Sequence, residues 1–102
     1  MATLEELTDR IRGAAASEVG LGASIKLDLM GEGVIHIDGP IVTNENLPAD
    51  LVVTVAIRDL TALGKGELDA TRAMMTGRLR LSDMGLAMKL RPKIQFLFSK
   101  AA

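Results

Sequence analysis

The chain has no cysteine, no tryptophan and no tyrosine, and only one histidine, two phenylalanines and three prolines in 102 residues. Without cysteine there is no disulfide framework, no thiolate metal site and no thiol nucleophile, and the composition suits a reducing cytoplasmic setting. His36 has neither a second nitrogen ligand nor a cysteine partner, which argues against a zinc site and for a partly exposed strand histidine. Ser17, Ser24, Ser82 and Ser99 lie in no nucleophile motif, and only Ser24 falls where a hairpin brings it towards His36, too little for a triad. Glu5-Glu6 and the other carboxylates lack the apolar neighbourhood that raises a pKa for acid catalysis. Gly31-Glu-Gly33 leads into a strand pattern with no third glycine, so it is not a dinucleotide fingerprint. The paucity of aromatics also argues against base stacking, and so against a nucleic-acid partner. No apolar run reaches the length of a membrane span, and Met1-Ala-Thr-Leu-Glu-Glu-Leu7 lacks the basic start and apolar core of a signal peptide. The expectation is a non-catalytic chain with no cofactor and no metal.

What remains is an ordinary globular composition, 48% hydrophobic and 25% charged, of a size that fits one domain over residues 1–102. The net charge of −1 hides an asymmetry. Up to Thr71 there are 5 basic and 12 acidic residues, and from Arg72 onward 7 basic and 1 acidic. Such a split points either to transient contact with an anionic membrane surface or to two faces of one small domain neutralising each other.

Periodicity supplies the elements. Thr3-Leu-Glu-Glu6 reads as a capping box opening a helix whose apolar stripe is Leu4, Leu7, Ile11 and Ala14 or Ala15, ending before Gly20. Glu5, Asp9 and Arg12 form its outward face. Ala23 to Met30 alternates, with Ile25, Leu27 and Leu29 on one side; Gly31-Glu-Gly33 allows a hairpin; Val34 to Asp38 returns. Gly39-Pro40 breaks the pattern, and Thr43 to Pro48 reads as a polar loop. Leu51 to Ile57 is apolar on both faces, as a strand inside a sheet is. Asp59 is placed to cap a short helix through Leu63, ended by Gly64-Lys-Gly66. Ile94-Gln-Phe-Leu-Phe98 fits a closing helix or a strand, and five residues do not decide between them.

The stretch from Thr71 to Leu90 is the most informative. Asp69 can cap a short helix carrying Met74 and Met75, which Gly77 stops; Arg78-Leu79-Arg80-Leu81 alternates as a half-buried strand; Asp83 can cap a second helix. At about 100° per residue, Met84, Ala87 and Met88 share one side of that helix while Leu86 and Leu90 lie nearly opposite. A helix apolar nearly all round needs cover on both sides: a sheet on one, and a further layer, a partner or an apolar ligand on the other. Methionine makes a soft, adaptable wall for an occupant of variable shape, and equally a filler of core gaps.

Met84-Gly-Leu-Ala-Met-Lys-Leu90, preceded by Gly77-Arg-Leu-Arg-Leu81, resembles the signature of sterol carrier protein type 2 domains. Ala49-Asp50, Asp59-Leu60, Ala62-Leu63 and Gly66-Glu-Leu68 fall in that family's order. The sequence departs from the pattern in the shortened turn Leu81-Ser82-Asp83 and in Met74 and Met75, which stand where phenylalanines are usual. The resemblance implies a small domain enclosing a hydrophobic tunnel for sterols, fatty acids or fatty acyl groups. The C-terminal Ser99-Lys-Ala-Ala102 differs from the peroxisomal Ser-Lys-Leu address of some relatives.

The combined expectation is an α+β domain: a mostly antiparallel five-stranded sheet with helices on one face around the tunnel. Met74, Met75, Met84, Met88, Phe96 and Phe98 are the expected lining, with Val53 and Val55 as the floor on the sheet side. The partner expected is a lipid or fatty-acyl ligand, the protein being monomer or homodimer. The alternative is a non-catalytic interaction or dimerisation domain, in which the same apolar helix packs on a partner chain and carries no lipid.

Overall fold

The computed structural model describes residues 3–17 and 22–102. Helix α1 (Leu4–Ser17) opens the chain and strands β1 (Ile25–Asp28), β2 (Val34–Asp38), β3 (Ile41–Thr43) and β4 (Leu51–Val55) follow. Then come α2 (Ile57–Lys65), α3 (Ala70–Met75), β5 (Leu79–Leu81), α4 (Met84–Lys89) and α5 (Arg91–Ala101). The capping box at α1 forms reciprocally: Glu6 N donates to Thr3 Oγ1 at 3.2 Å, and Thr3 N donates back to Glu6 Oε1 at 3.3 Å. The bonds from Thr3 hold the Glu6 carboxyl below its ordinary pKa. The expected stop of α1 before Gly20 lies outside the described residues.

The five strands form one sheet in the order β3-β2-β1-β4-β5. Every contact is antiparallel except β1 with β4, which run parallel. Register puts the apolar residues on one side. Leu27 pairs with Ile35 and Val53, Ile25 with Ile37 and Leu51, and Val53 and Val55 with Leu81 and Leu79. Partners in register share a face, so a single apolar surface runs from Val42 to Leu79, and all of it but Leu81 is buried. Leu7 and Ile11 of α1, Leu60 of α2 and Leu97 of α5 close over it in the same core.

The other face carries Lys26, His36, Thr54 and Arg80, and the chain from Asn44 to Pro48 crosses it. Lys26 Nζ donates to Asn46 Oδ1 at 2.9 Å, and His36 Nε2 lies 3.0 Å from the Pro48 carbonyl oxygen. A parallel strand cannot be reached by a tight turn, so β3 must connect to β4 by such a crossing. The crossing also corrects the reading of His36, which is buried beneath it rather than partly exposed.

Three other expectations change. The fifth strand is β3, in the stretch read as a break and a loop: Gly39, at φ 58°, lets the chain turn back so that Ile41 pairs with Asp38. Ile94 to Phe98 is helical, within α5. Helix α2 begins at Ile57, with Ala56 as its N-cap, so Asp59 sits in the first turn and is buried instead of capping. A carboxylate there lies close to the positive end of the helix dipole.

Helices α2 and α5 meet at Gly64. A Cβ at that position would collide with the Phe98 carbonyl oxygen and stand 2.9 Å from the Ala102 Cβ, backbone on one side and a side chain with no freedom on the other. Gly13, in α1, has nothing within 4 Å of the same point. Gly64→Ala is expected to force the two helices apart at a cost of about 1–3 kcal/mol, lowering Tm by roughly 5 °C or more. Gly13→Ala is expected to leave Tm unchanged or raise it slightly, since alanine is the better helix former. Thermal melts of the two variants check the pair.

Candidate functional site

Between the end of the sheet and the last three helices lies a cavity of about 400 Å³. Its floor is Val53 and the β5 leucines Leu79 and Leu81, with Leu63 of α2. One wall is α3, through Ala70, Thr71, Met74 and Met75; a second is α4, through Met84, Ala87 and Met88. The third is α5, through Arg91, Ile94, Gln95 and Phe98.

The sequence builds these walls by capping two helices too short to persist alone. Asp69 accepts from Arg72 N at 3.0 Å and starts α3; Asp83 accepts from Leu86 N at 3.1 Å and starts α4. Helix α3 ends where Arg78 N bonds the Ala73 carbonyl at 2.8 Å, and Gly77, at φ 76°, makes the left-handed step into β5. The next strand is stitched to its neighbour by Val52 N donating to Ser82 Oγ at 2.8 Å and Ser82 N to the Val52 carbonyl at 3.0 Å. The turn without glycine is therefore completed by a serine side chain.

Helix α4 has cover on one side only. Ala87 and Leu90 are buried and Leu86 half-buried, while Met84 is 47% and Met88 61% exposed. Across the opening Met75 is 83% exposed. The methionines thus rim a mouth open to solvent, and the buried residues Val53, Leu63, Leu79 and Phe98 lie at the bottom.

Six of the eight residues expected to line a pocket share this cavity: Val53, Met74, Met75, Met84, Met88 and Phe98. Val55 and Phe96 are outside it. Val55 is fully buried one register step further on, opposite Leu79. Phe96 is half-buried elsewhere on α5, with Lys100 Nζ 5.6 Å from the centre of its ring. The expected lining left out Ala70, Leu79, Leu81 and Ala87, which lie on the same short helices and strand, and also Leu63, Thr71, Arg91, Ile94 and Gln95. Residues 91, 94, 95 and 98 have helical spacing, a signal readable only once α5 is known to be a helix.

Several polar groups away from the cavity have structural partners. Ser24 is tied to Asp50, its N–H donating to Oδ2 at 3.0 Å while its own Oγ accepts from Asp50 N at 3.0 Å, so it is not engaged with His36. A second, polar recess of about 410 Å³ lies between α1 and Asn44. There Asn44 Nδ2 donates to Thr8 Oγ1 and to the Val34 carbonyl, both at 2.9 Å, and Arg12 bridges Asp9 and the Val42 carbonyl at 3.0 and 3.1 Å. These bonds lock α1 to the sheet edge. Among the described residues no group of three or more histidine or carboxylate side chains could hold a metal ion.

The family model described as the SCP-2 sterol transfer family matches residues 3–95. Sterol carrier protein 2 of Oryctolagus cuniculus is 33% identical over 87 residues, covering 84% of this chain and 16% of that protein. The chain thus spans about a sixth of the length of the curated relatives it matches. Among solved structures, the crystal structure of sterol carrier protein 2 like 2 from Aedes aegypti superposes with a TM-score of 0.71 at 23% identity, covering 85% of this chain and 92% of that one. The solution structure of the palmitated mosquito protein gives 0.66 at 24% identity, covering 91% and 95%. These likenesses establish the fold.

The capping of α4 is testable in isolation from any ligand. Asp83→Ala is expected to cost about 1 kcal/mol and to speed amide exchange at Leu86 more than in the β1 and β2 strands. Asp83→Asn, which keeps an acceptor, is expected to restore most of both. Denaturant unfolding and hydrogen-exchange NMR check it.

Proposed function

The chain belongs to the SCP-2 sterol transfer family, and from that membership we propose that it is a non-catalytic lipid carrier of the cytoplasm. It takes a fatty acid, fatty acyl or sterol-like ligand into the cavity bounded by α3, α4, α5 and the sheet. The observation that carries the proposal is the apolar cavity under a methionine rim. Its volume falls in the range of roughly 300–1,000 Å³ usual for small-molecule sites. The residues assigned to the ligand are Val53, Met74, Met75, Met84, Met88 and Phe98, with Val55 and Phe96 left to the core and to the α5 surface. Membership in the family, relatives named as sterol carriers, and a floor of buried leucine, valine and phenylalanine all support a ligand held by apolar contact.

The energetics are adequate without a hydrogen bond. Each buried CH₂ contributes about 0.8 kcal/mol, so a 16-carbon chain gains roughly 12 kcal/mol gross. Association and ordering remove half or more of that, which leaves micromolar affinity. Among the described residues no helix is long and apolar enough to cross a membrane. The basic residues from Arg72 to Lys100 support transient contact with an anionic membrane, each worth about 1 kcal/mol close to the surface. Arg80 contributes little at the cavity mouth, because its register with Thr54 puts it on the far face of the sheet.

A delipidated sample titrated with a fluorescent long-chain fatty acid is expected to saturate near one ligand per chain at micromolar concentration. Met88→Glu is expected to weaken that binding at least about tenfold while changing stability by less than about 0.5 kcal/mol, as exposed positions tolerate substitution. No saturable binding below about 100 μM, a Kd close to the millimolar end of the affinity scale, contradicts the carrier. A dimer that buries Met84 and Met88 and binds no lipid, seen by native mass spectrometry, favours the interaction domain.

A further inference from the structure

Resting on the carrier reading, we propose that the cavity selects amphiphiles with an anionic head group, and that Arg91, supported by Gln95, is the selecting residue. The cavity is graded in polarity. Its bottom is Val53, Leu63, Leu79 and Phe98, all buried. Its polar side chains are Thr71, Arg91 and Gln95, all exposed. Arg91 and Gln95 are one turn apart on α5, and the same face continues through Ile94 to Phe98. A single helix face therefore presents two polar groups near the mouth and apolar groups below, the sequence in which a single-chain amphiphile would meet them.

The charge of Arg91 is uncompensated. Among the described residues its guanidinium makes no ion pair or hydrogen bond. Among the described residues no carboxylate lines the cavity, and the first turn of α5 holds no acidic residue. Arg91 is not needed to serve the C-terminus of α4 either, because Lys89 already stands in that last turn. A guanidinium with five donors and no partner, at the rim of an apolar cavity, is matched by a carboxylate or phosphate at the end of a hydrocarbon chain. A neutral lipid of the same length fills the same apolar space and leaves that site to water. Gln95, whose amide both donates and accepts, can hold the second oxygen of a carboxylate.

The test compares a pyrene-labelled fatty acid with the pyrene-labelled alcohol of the same chain length. The wild-type protein is expected to bind the acid about tenfold more tightly, the size of one partly exposed charge-assisted hydrogen bond, and the preference is expected to shrink in 0.5 M salt. Arg91→Gln is expected to erase the preference by weakening the acid alone, Arg91→Lys to keep part of it, and both to leave Tm unchanged because Arg91 is exposed. Equal affinity of the wild type for acid and alcohol overturns the assignment and leaves the carrier intact, as does an Arg91→Gln variant that weakens both ligands alike. Binding of neither probe overturns the carrier reading and this one with it.

Discussion

A sheet with one apolar face must be covered, and in this protein the cover is incomplete. Register places Val42, Ile37, Ile25, Leu51, Val53 and Leu79 on one continuous surface. Helices α1, α2 and α5 seal most of it, so that Leu7, Ile11 and Leu60 have no exposure at all. Over β5 and the end of β4 the cover is two six-residue helices, α3 and α4, which with α5 leave a space between them. The gap between them is the cavity. In a chain of this length each lost core contact matters, since cavity walls forfeit both transfer energy and dispersion. A ligand that binds only the folded form returns stability by mass action.

Much of this arrangement is legible in the amino-acid sequence. The capping box at Thr3, the caps at Asp69 and Asp83, the Gly31-Glu-Gly33 hairpin and the two-sided apolar helix from Met84 all rest on local chemistry, and local chemistry is what a short window of sequence contains. What is not legible there depends on distant contacts. β3 is three residues long and follows a Gly-Pro pair, so although Ile41, Val42 and Thr43 all favour strand it is too short to show a period; it forms because β2 offers an edge and α1 packs against it. His36 is buried by a crossing loop whose path is set by the parallel pairing of β1 with β4, and nothing near His36 in the chain encodes that. Ile57 prolongs the apolar run of β4, which hides the start of α2.

The same distinction holds at the site. The four methionines of α3 and α4 are identifiable because their helices are locally specified. Phe96 goes with Phe98 by composition, yet on a helix two residues apart means nearly opposite sides, and only Phe98 reaches the cavity. Arg91 and Gln95 are the converse case, ordinary polar residues whose place at the cavity follows from the turn of α5. The charge asymmetry takes a more specific form too. The ion pairs Glu6–Arg10 and Asp9–Arg12 lie within α1, Arg80 stands on the far face of the sheet, and among the described residues Arg91 is the basic residue at the apolar opening.

The central claim is that Met74, Met75, Met84 and Met88 form the wall of a ligand cavity, while Met30, 57% exposed at the hairpin, is an ordinary surface methionine. Methyl NMR of a sample with carbon-13 in its methionine methyl groups, titrated with hexadecanoate after delipidation, tests this directly. The account predicts saturable shifts at those four methyl groups with one common Kd and none at Met30. Uniform small shifts at every methionine, or no shift while the fatty acid binds elsewhere, would contradict it.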